Sequence, residues 1–196
     1  MDTHLYQVEL TFTTELLGTV PRKAVYATYI ASKALDVEDE LETAPGEIED
    51  RGWTGFHLRD GKPIVYDYTI KGFFKDACGA LRRVGGTHSA RLRSYKKVID
   101  TLLFVSPRQI PLILPEGEGM GVLERPLRGQ TPQGERVTVV RSDSCPAGTK
   151  VRFTVEILGE VGEELLREWL DYGRYRGLGQ WRNGGYGSFT YTLEAV

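Results

Sequence analysis

Residues 177–187 read Gly-Leu-Gly-Gln-Trp-Arg-Asn-Gly-Gly-Tyr-Gly, five glycines in eleven positions, with Arg174 and Arg176 just ahead. Glycine tolerates positive φ and lets a backbone approach another chain closely. Gly177, Gly179, Gly184, Gly185 and Gly187 would therefore expose N–H groups beside the Arg182 guanidinium and the rings of Trp181 and Tyr186. That combination suits a ligand made of phosphates and bases. A dinucleotide-binding loop is excluded, because G-x-G-x-x-G begun at Gly177 needs its third glycine where Arg182 stands. Such a loop also follows a strand and opens a helix, the reverse of the order here. The alternative for the segment is a tight helix-to-strand connection packed against an earlier helix.

A second cationic group comes earlier. Lys71, Lys75, Arg82, Arg83, Arg91, Arg93, Lys96 and Lys97 share their stretch with one acid, Asp76, so a net charge of −2 conceals a local positive surface. Such a surface binds polyanions even on a slightly acidic chain, the alternative being an ordinary solvated face. These eight bases, with Arg174, Arg176 and the glycine-rich segment, form the candidate RNA-binding set. Between Asp36 and Asp50 there are instead eight acids and no base, a poor lining for phosphate. That segment is expected to contact protein or to mimic nucleic acid.

Catalytic chemistry has fewer candidates. Of the three histidines, His88 sits in the basic run, and its ordinary pKa of about 6.5 would suit it to general-base work. A surface donor is the simpler role for it. Cys145 follows Ser142-Asp143-Ser144, but no spacing supplies it with a histidine, and no zinc-ligand pattern occurs. Binding without cofactor or metal is the expected activity.

The elements that position these groups follow from periodicity. Tyr6, Val8, Leu10 and Phe12 alternate with polar residues, as do Val151, Phe153, Val155 and Ile157, and later Phe189, Tyr191 and Leu193, three half-buried strands. The apolar run from Val98 to Val105 predicts a fourth, ended by Pro107. Between Lys71 and Val84 the apolar residues fall within about 120° of a helical wheel, with Lys71, Lys75 and Arg82 opposite. A second helix is expected from Val161 to Tyr172, with Gly173 as its stop. Two insertions interrupt this set. Residues 14–69 hold the acidic stretch and a hairpin turning at Asp60-Gly61, and residues 107–148 hold at least the strand Arg136–Arg141.

Stripped of insertions, the order is strand, helix, strand, strand, helix, strand. That predicts an α+β, ferredoxin-like (RRM-type) βαββαβ core in a single domain of 196 residues. The open sheet face and its loops are common sites for single-stranded RNA in this fold. With 40% hydrophobic and 27% charged residues the chain is not of the disordered class, and no apolar run approaches the roughly 20 residues of a membrane span. Two cysteines and the lack of a secretion signal point to a reducing, cytoplasmic setting.

The amphipathic helix, then Gly-Leu-Gly-Gln-Trp-Arg-Asn-Gly-Gly-Tyr-Gly, then an alternating strand resembles the glycine-rich signature of the RAMP superfamily of CRISPR-associated proteins. Tyr68-Thr69-Ile70-Lys71-Gly72-Phe73-Phe74-Lys75 is similar to the Ile-Pro-Gly-Ser-Ser-Leu-Lys-Gly segment of RAMP backbone subunits, departing from it at the proline and the paired serines. The hairpin around Asp60-Gly61-Lys62-Pro63 precedes it as in that family, and Pro146-Ala147-Gly148-Thr149-Lys150 is also family-like. The resemblance implies a ferredoxin-like core that binds guide or other single-stranded RNA, with CRISPR effector subunits or further copies of itself as partners. It also implies an insertion after the first strand that serves as a thumb, where Asp36 or Asp39 would bind metal in a target-cutting member. Three functions follow: an RNA-binding effector subunit or solitary relative, a decoy that blocks effector assembly, and a metal-independent ribonuclease. The RNA-binding expectation requires the glycine-rich segment and the cationic side of the first helix to converge over one groove.

Overall fold

The computed structural model describes residues 2–21, 53–131, 134–159 and 161–196, so the acidic stretch Asp36–Asp50 lies outside the described residues. Strand β1 (Thr3–Phe12) is followed by the short β2 (Leu16–Leu17), β3 (Val20–Pro21) and β4 (Trp53–Gly55). The expected hairpin forms as β5 (His57–Arg59) and β6 (Lys62–Tyr66), with Asp60 and Gly61 both at positive φ in its turn. Helices α1 (Asp67–Leu81), α2 (His88–Arg91) and α3 (Tyr95–Leu102) come next, then β7 (Leu103–Ser106) and β8 (Gln109–Ile113). A long hairpin of β9 (Gly121–Thr131) and β10 (Gly134–Cys145) precedes β11 (Lys150–Leu158), α4 (Glu163–Arg176) and β12 (Phe189–Ala195).

Strands β12, β1, β11 and β7 lie side by side in that order, each neighbouring pair antiparallel. This puts the last core strand beside the first, and the third beside the second, as in a split βαβ fold. The alternating positions of β1 and β11 turn Tyr6, Val8, Leu10, Val151, Phe153 and Val155 inward. There they meet Phe73, Phe74 and Ala77 of α1 and Leu166, Trp169 and Leu170 of α4, all buried. Phe74 and Trp169 have ring centroids 5.6 Å apart, and burying each such side chain contributes about 1.5–3 kcal/mol. Both insertions contribute sheet. β8 and β6 extend the main sheet to the edge at β5, while β2, β10, β4 and β3 form a second sheet with β9 on its flank.

Two element assignments change. The run Val98–Val105 is not one strand, since residues through Leu102 form α3 and only Leu103–Ser106 pair with β11. Tyr95, Val98, Ile99 and Leu102 recur at i, i+3, i+4 and i+7, so a helical face was written there beneath the continuous apolar run. Gly173 is likewise not a stop. The helix continues to Arg176 and ends at Gly177, whose φ is +66°. Gly173 is buried because a Cβ there would overlap the ring of Phe189, which packs directly on the helix backbone.

Candidate nucleic-acid interface

The glycine-rich segment connects α4 to β12 under tight backbone constraint. Gly177 and Gly179 both have positive φ, and added Cβ atoms would stand 2.6 Å from the Gly187 carbonyl carbon and from the Leu17 carbonyl oxygen. A Cβ on Gly187 would overlap the Leu178 carbonyl. These crossings are fixed by main-chain bonds from Leu178 N–H to Gly187 O (2.9 Å), Gln180 N–H to Leu17 O (3.3 Å) and Gly187 N–H to Glu15 O (2.8 Å). Three of the five glycines thus serve the tight connection, and their neighbourhood spends its N–H groups within the protein. Gly184 and Gly185 sit at the tip, where Gly185 (φ +86°) meets nothing within 4 Å. Side chains anchor the other end. Thr54 donates to Gln180 Oε1 (2.6 Å) and the buried Ser142 hydroxyl donates to the Gly18 carbonyl (2.9 Å), with the two hydroxyls 2.8 Å apart.

The chemistry gathers on the outward side of this connection. Arg176 Nε and Arg182 Nη1 each donate to Oδ2 of Asp76 on α1, both at 2.9 Å, and Arg176 Nη1 donates to Asn183 Oδ1 at 2.6 Å. The Arg125 guanidinium of β9 lies over the Trp181 ring, 5.2 Å from its centroid. Trp181 meets Tyr186 edge-to-face at 6.2 Å. Trp181 holds φ +54°, a conformation rare for a bulky side chain, as it opens the short 3-10 turn Arg182–Gly184. Arg125, Arg176, Trp181 and Arg182 line an open depression of about 490 Å³. Arg176 and Arg182 share the Asp76 carboxylate, and among the described residues no carboxylate lines the depression itself, which leaves a local surplus of positive charge. Each ion pair is half-buried and worth little by itself, so Asp76 acts mainly to hold two guanidiniums side by side. Arg125 was not legible in the sequence, because only the β9–β10 register carries it to the loop.

The other predicted cations separate from this site. On α1 and its C-cap, Lys71, Lys75 and Arg82 share one flank, about 120° round the helix from Asp76. Lys71 donates to the Asp100 carbonyl (3.2 Å), Lys75 pairs with the Asp100 carboxylate, and Arg82 lies 5.2 Å over the Tyr95 ring. Burial pushes the Lys71 ammonium below its ordinary pKa, partly offset by Asp100. The cationic side of α1 therefore faces α3, and the single groove expected between it and the loop is not formed. Arg83, Arg91, Arg93, Lys96 and Lys97 are exposed on a second basic surface at the end of α1, on α2 and at the start of α3. Glu168 of α4 holds that surface in place, accepting from the His88 N–H (2.7 Å) and the Ser89 N–H (3.0 Å). Arg174 is exposed on α4.

His88 opens α2 with its side chain exposed. Cys145 is fully buried, and burial, with Asp143 adding to it, pushes its thiol up to about 12, so it stays protonated at neutral pH and has no nucleophilic character. Among the described residues no three His, Cys, Asp or Glu side chains are placed to hold a metal ion, and Asp36 and Asp39 lie outside those residues. Among the same residues no helix is long and apolar enough to cross a membrane. The outer face of the main sheet carries Gln7, Glu9, Arg152, Thr154, Thr192 and Glu194, with no aromatic ring from β12, β1 or β11. The exposed ring of Phe104 on β7, beside Glu156, lies at its side, while the central strands β1 and β11 lack the rings on which an RRM-type sheet stacks bases.

Fold and loop together define the class: a ferredoxin-like α+β protein with a second small sheet and a glycine-rich connection before its last strand. A chain in the cryo-EM structure of the type III-B Cmr-beta complex bound to cognate target RNA superposes with a TM-score of 0.62 at 13% identity, over 99% of this chain. The present chain spans 61% of the length of that one. A chain of a type IV-B CRISPR complex is matched at TM-score 0.46 and 14% identity, over 97% of this chain and 90% of that one. No protein-family model matches the sequence, and no curated protein matches it. At this identity the likeness is one of fold alone.

Proposed function

We propose that this protein binds single-stranded RNA at the glycine-rich connection itself, whose own cations take the place of the groove expected with the cationic side of α1, as a CRISPR effector backbone subunit or a solitary relative acting in the cytoplasm. The observation that carries the reading is the convergence of Arg125, Arg176 and Arg182 around Trp181 against one carboxylate. Its support in the fold is the likeness to a chain of a CRISPR complex bound to RNA. Asp76 pre-orders two guanidiniums that keep further N–H groups for a phosphate, which lowers the entropy lost when the strand binds. Trp181 and Tyr186 offer ring faces to bases, each worth about 1–3 kcal/mol when stacked. The basic surface around α2 and α3 extends the path for the backbone. Other effector subunits are the expected protein partners.

Fluorescence anisotropy of labelled single-stranded RNA, titrated across a series of salt concentrations, tests this. Affinity should fall with salt at a log-log slope of roughly −0.7 per phosphate contact, and Arg182→Ala should make the slope shallower by about that amount. An Arg182→Ala/Arg176→Ala variant that binds with wild-type affinity and slope would refute the assignment. For the ribonuclease alternative, incubation with repeat RNA in EDTA should give no cleavage that depends on His88.

A further inference from the structure

On the inner side of the same connection lies a second opening. Leu178 and Gly179 form one wall of a small cavity of about 70 Å³, which β2, the β5–β6 hairpin and the first turn of α1 also line. Leu16, Leu17, Ile64 and Ile70 make its lining predominantly apolar. Three rings gather where it meets solvent. Tyr66 and Tyr68 are stacked, with centroids 5.3 Å apart and planes 11° from parallel, and His57 meets Tyr66 edge-to-face at 4.8 Å. The Arg108 guanidinium lies over Tyr66 at 6.0 Å. One face of Tyr68 is taken by Tyr66, yet its side chain remains 54% exposed, which leaves the other face to a ligand.

Gly179 lines both this cavity and the cationic depression. The glycine-rich connection is therefore a thin partition with guanidiniums on one side and an apolar, aromatic-rimmed hollow on the other. Among the described residues no carboxylate or ammonium lines the hollow, so it suits an uncharged flat ring system better than a phosphate. A nucleotide strand is the ligand that carries both chemistries at adjacent positions. We infer that the mouth of this cavity receives one unstacked nucleobase of the bound strand, laid on the free face of Tyr68 with its edge toward the hollow. The inference rests on the RNA-binding reading and adds to it a base-selective position that neither cation cluster supplies. Splayed-out bases stacked on aromatic rings are the usual way single-stranded RNA is held for reading.

Affinity and crosslinking of the full chain with single-stranded RNA containing 5-iodouridine test it. Irradiation should attach the RNA to a peptide containing Tyr66 and Tyr68. Tyr68→Ala should weaken binding roughly 5- to 150-fold, the range stacking on one ring provides, while leaving the salt slope at its wild-type value. Tyr68→Trp should restore affinity, and because Tyr68 is exposed both variants should keep the wild-type unfolding midpoint. Two results overturn the inference while leaving the RNA reading intact. One is a Tyr68→Ala protein that binds within twofold of wild type while Arg182→Ala still flattens the slope. The other is crosslinking confined to Trp181 and Tyr186. Wild-type protein with no RNA affinity at low salt would overturn both.

Discussion

Gly187 and Gly185 both hold positive φ in the same connection, but their surroundings differ. A Cβ on Gly187 would overlap the Leu178 carbonyl, whereas one on Gly185 would meet open space. The left-handed backbone alone costs an L-residue about 1–2 kcal/mol at either position. Gly187→Ala must in addition displace a hydrogen-bonded main chain, because Leu178 N–H is bound to Gly187 O. Chemical denaturation should therefore show a small loss for Gly185→Ala and a clearly larger one for Gly187→Ala. Equal losses would mean that the backbone crossing relaxes freely. The same distinction separates the roles of the glycines: Gly177, Gly179 and Gly187 hold the path of the chain, and Gly184 and Gly185 shape the tip beside Arg182.

Strands β1 and β11 are joined on their outer face by Glu9, which pairs with Lys150 at 2.8 Å and with Arg152. Hydrogen bonds from Lys150 first, then Arg152, hold the Glu9 carboxyl below the ordinary carboxylate value of about 4.3. A lowered folded-state pKa stabilises the fold above the ordinary value, and that stabilisation fades as pH falls through the lowered one. Denaturation midpoints measured from neutral pH downward should show Glu9→Gln less stable than wild type at neutral pH, the gap closing in acid. A gap of constant size at every pH down to the acid limit would assign the effect to packing rather than charge. Helix α2 depends on a single carboxylate in a different way. Glu168 accepts from the His88 and Ser89 amides, and the Ser89 hydroxyl in turn accepts from Trp169 Nε1 at 3.0 Å. Glu168→Ala should speed hydrogen exchange at residues 88–91 without changing it in β1 or β11. Exchange spread evenly over the chain would show a global loss of stability instead. Losing this anchor should also weaken RNA binding through Arg91 and Arg93.

Over the whole molecule, chemistry is distributed by face. The helical side carries the loop site and the α2–α3 basic surface, while the outer sheet face is polar and bears the exposed carboxylate of Glu194. Thr192→Glu on that face should leave RNA affinity within about twofold of wild type in the anisotropy assay. A large loss there would return the binding path to the open sheet. Alternation in β1, β11 and β12, the two amphipathic helices and the hairpin turn at Asp60-Gly61 were all legible in the sequence. Each is a local periodicity that encodes one element and the face it buries. From these the strand–helix order and the ferredoxin-like arrangement followed. The boundary between α3 and β7 was hidden because one apolar run serves a helix and then a strand. What the tertiary structure alone decided is which charges meet. Arg182 reaches Asp76 across 106 residues, Arg125 arrives at Trp181 through the register of a hairpin, and Lys71 and Lys75 turn to Asp100 instead of the loop. Periodicity fixes the face on which a side chain stands, but its partner is set by how separately specified elements pack, and no local pattern in the chain records that.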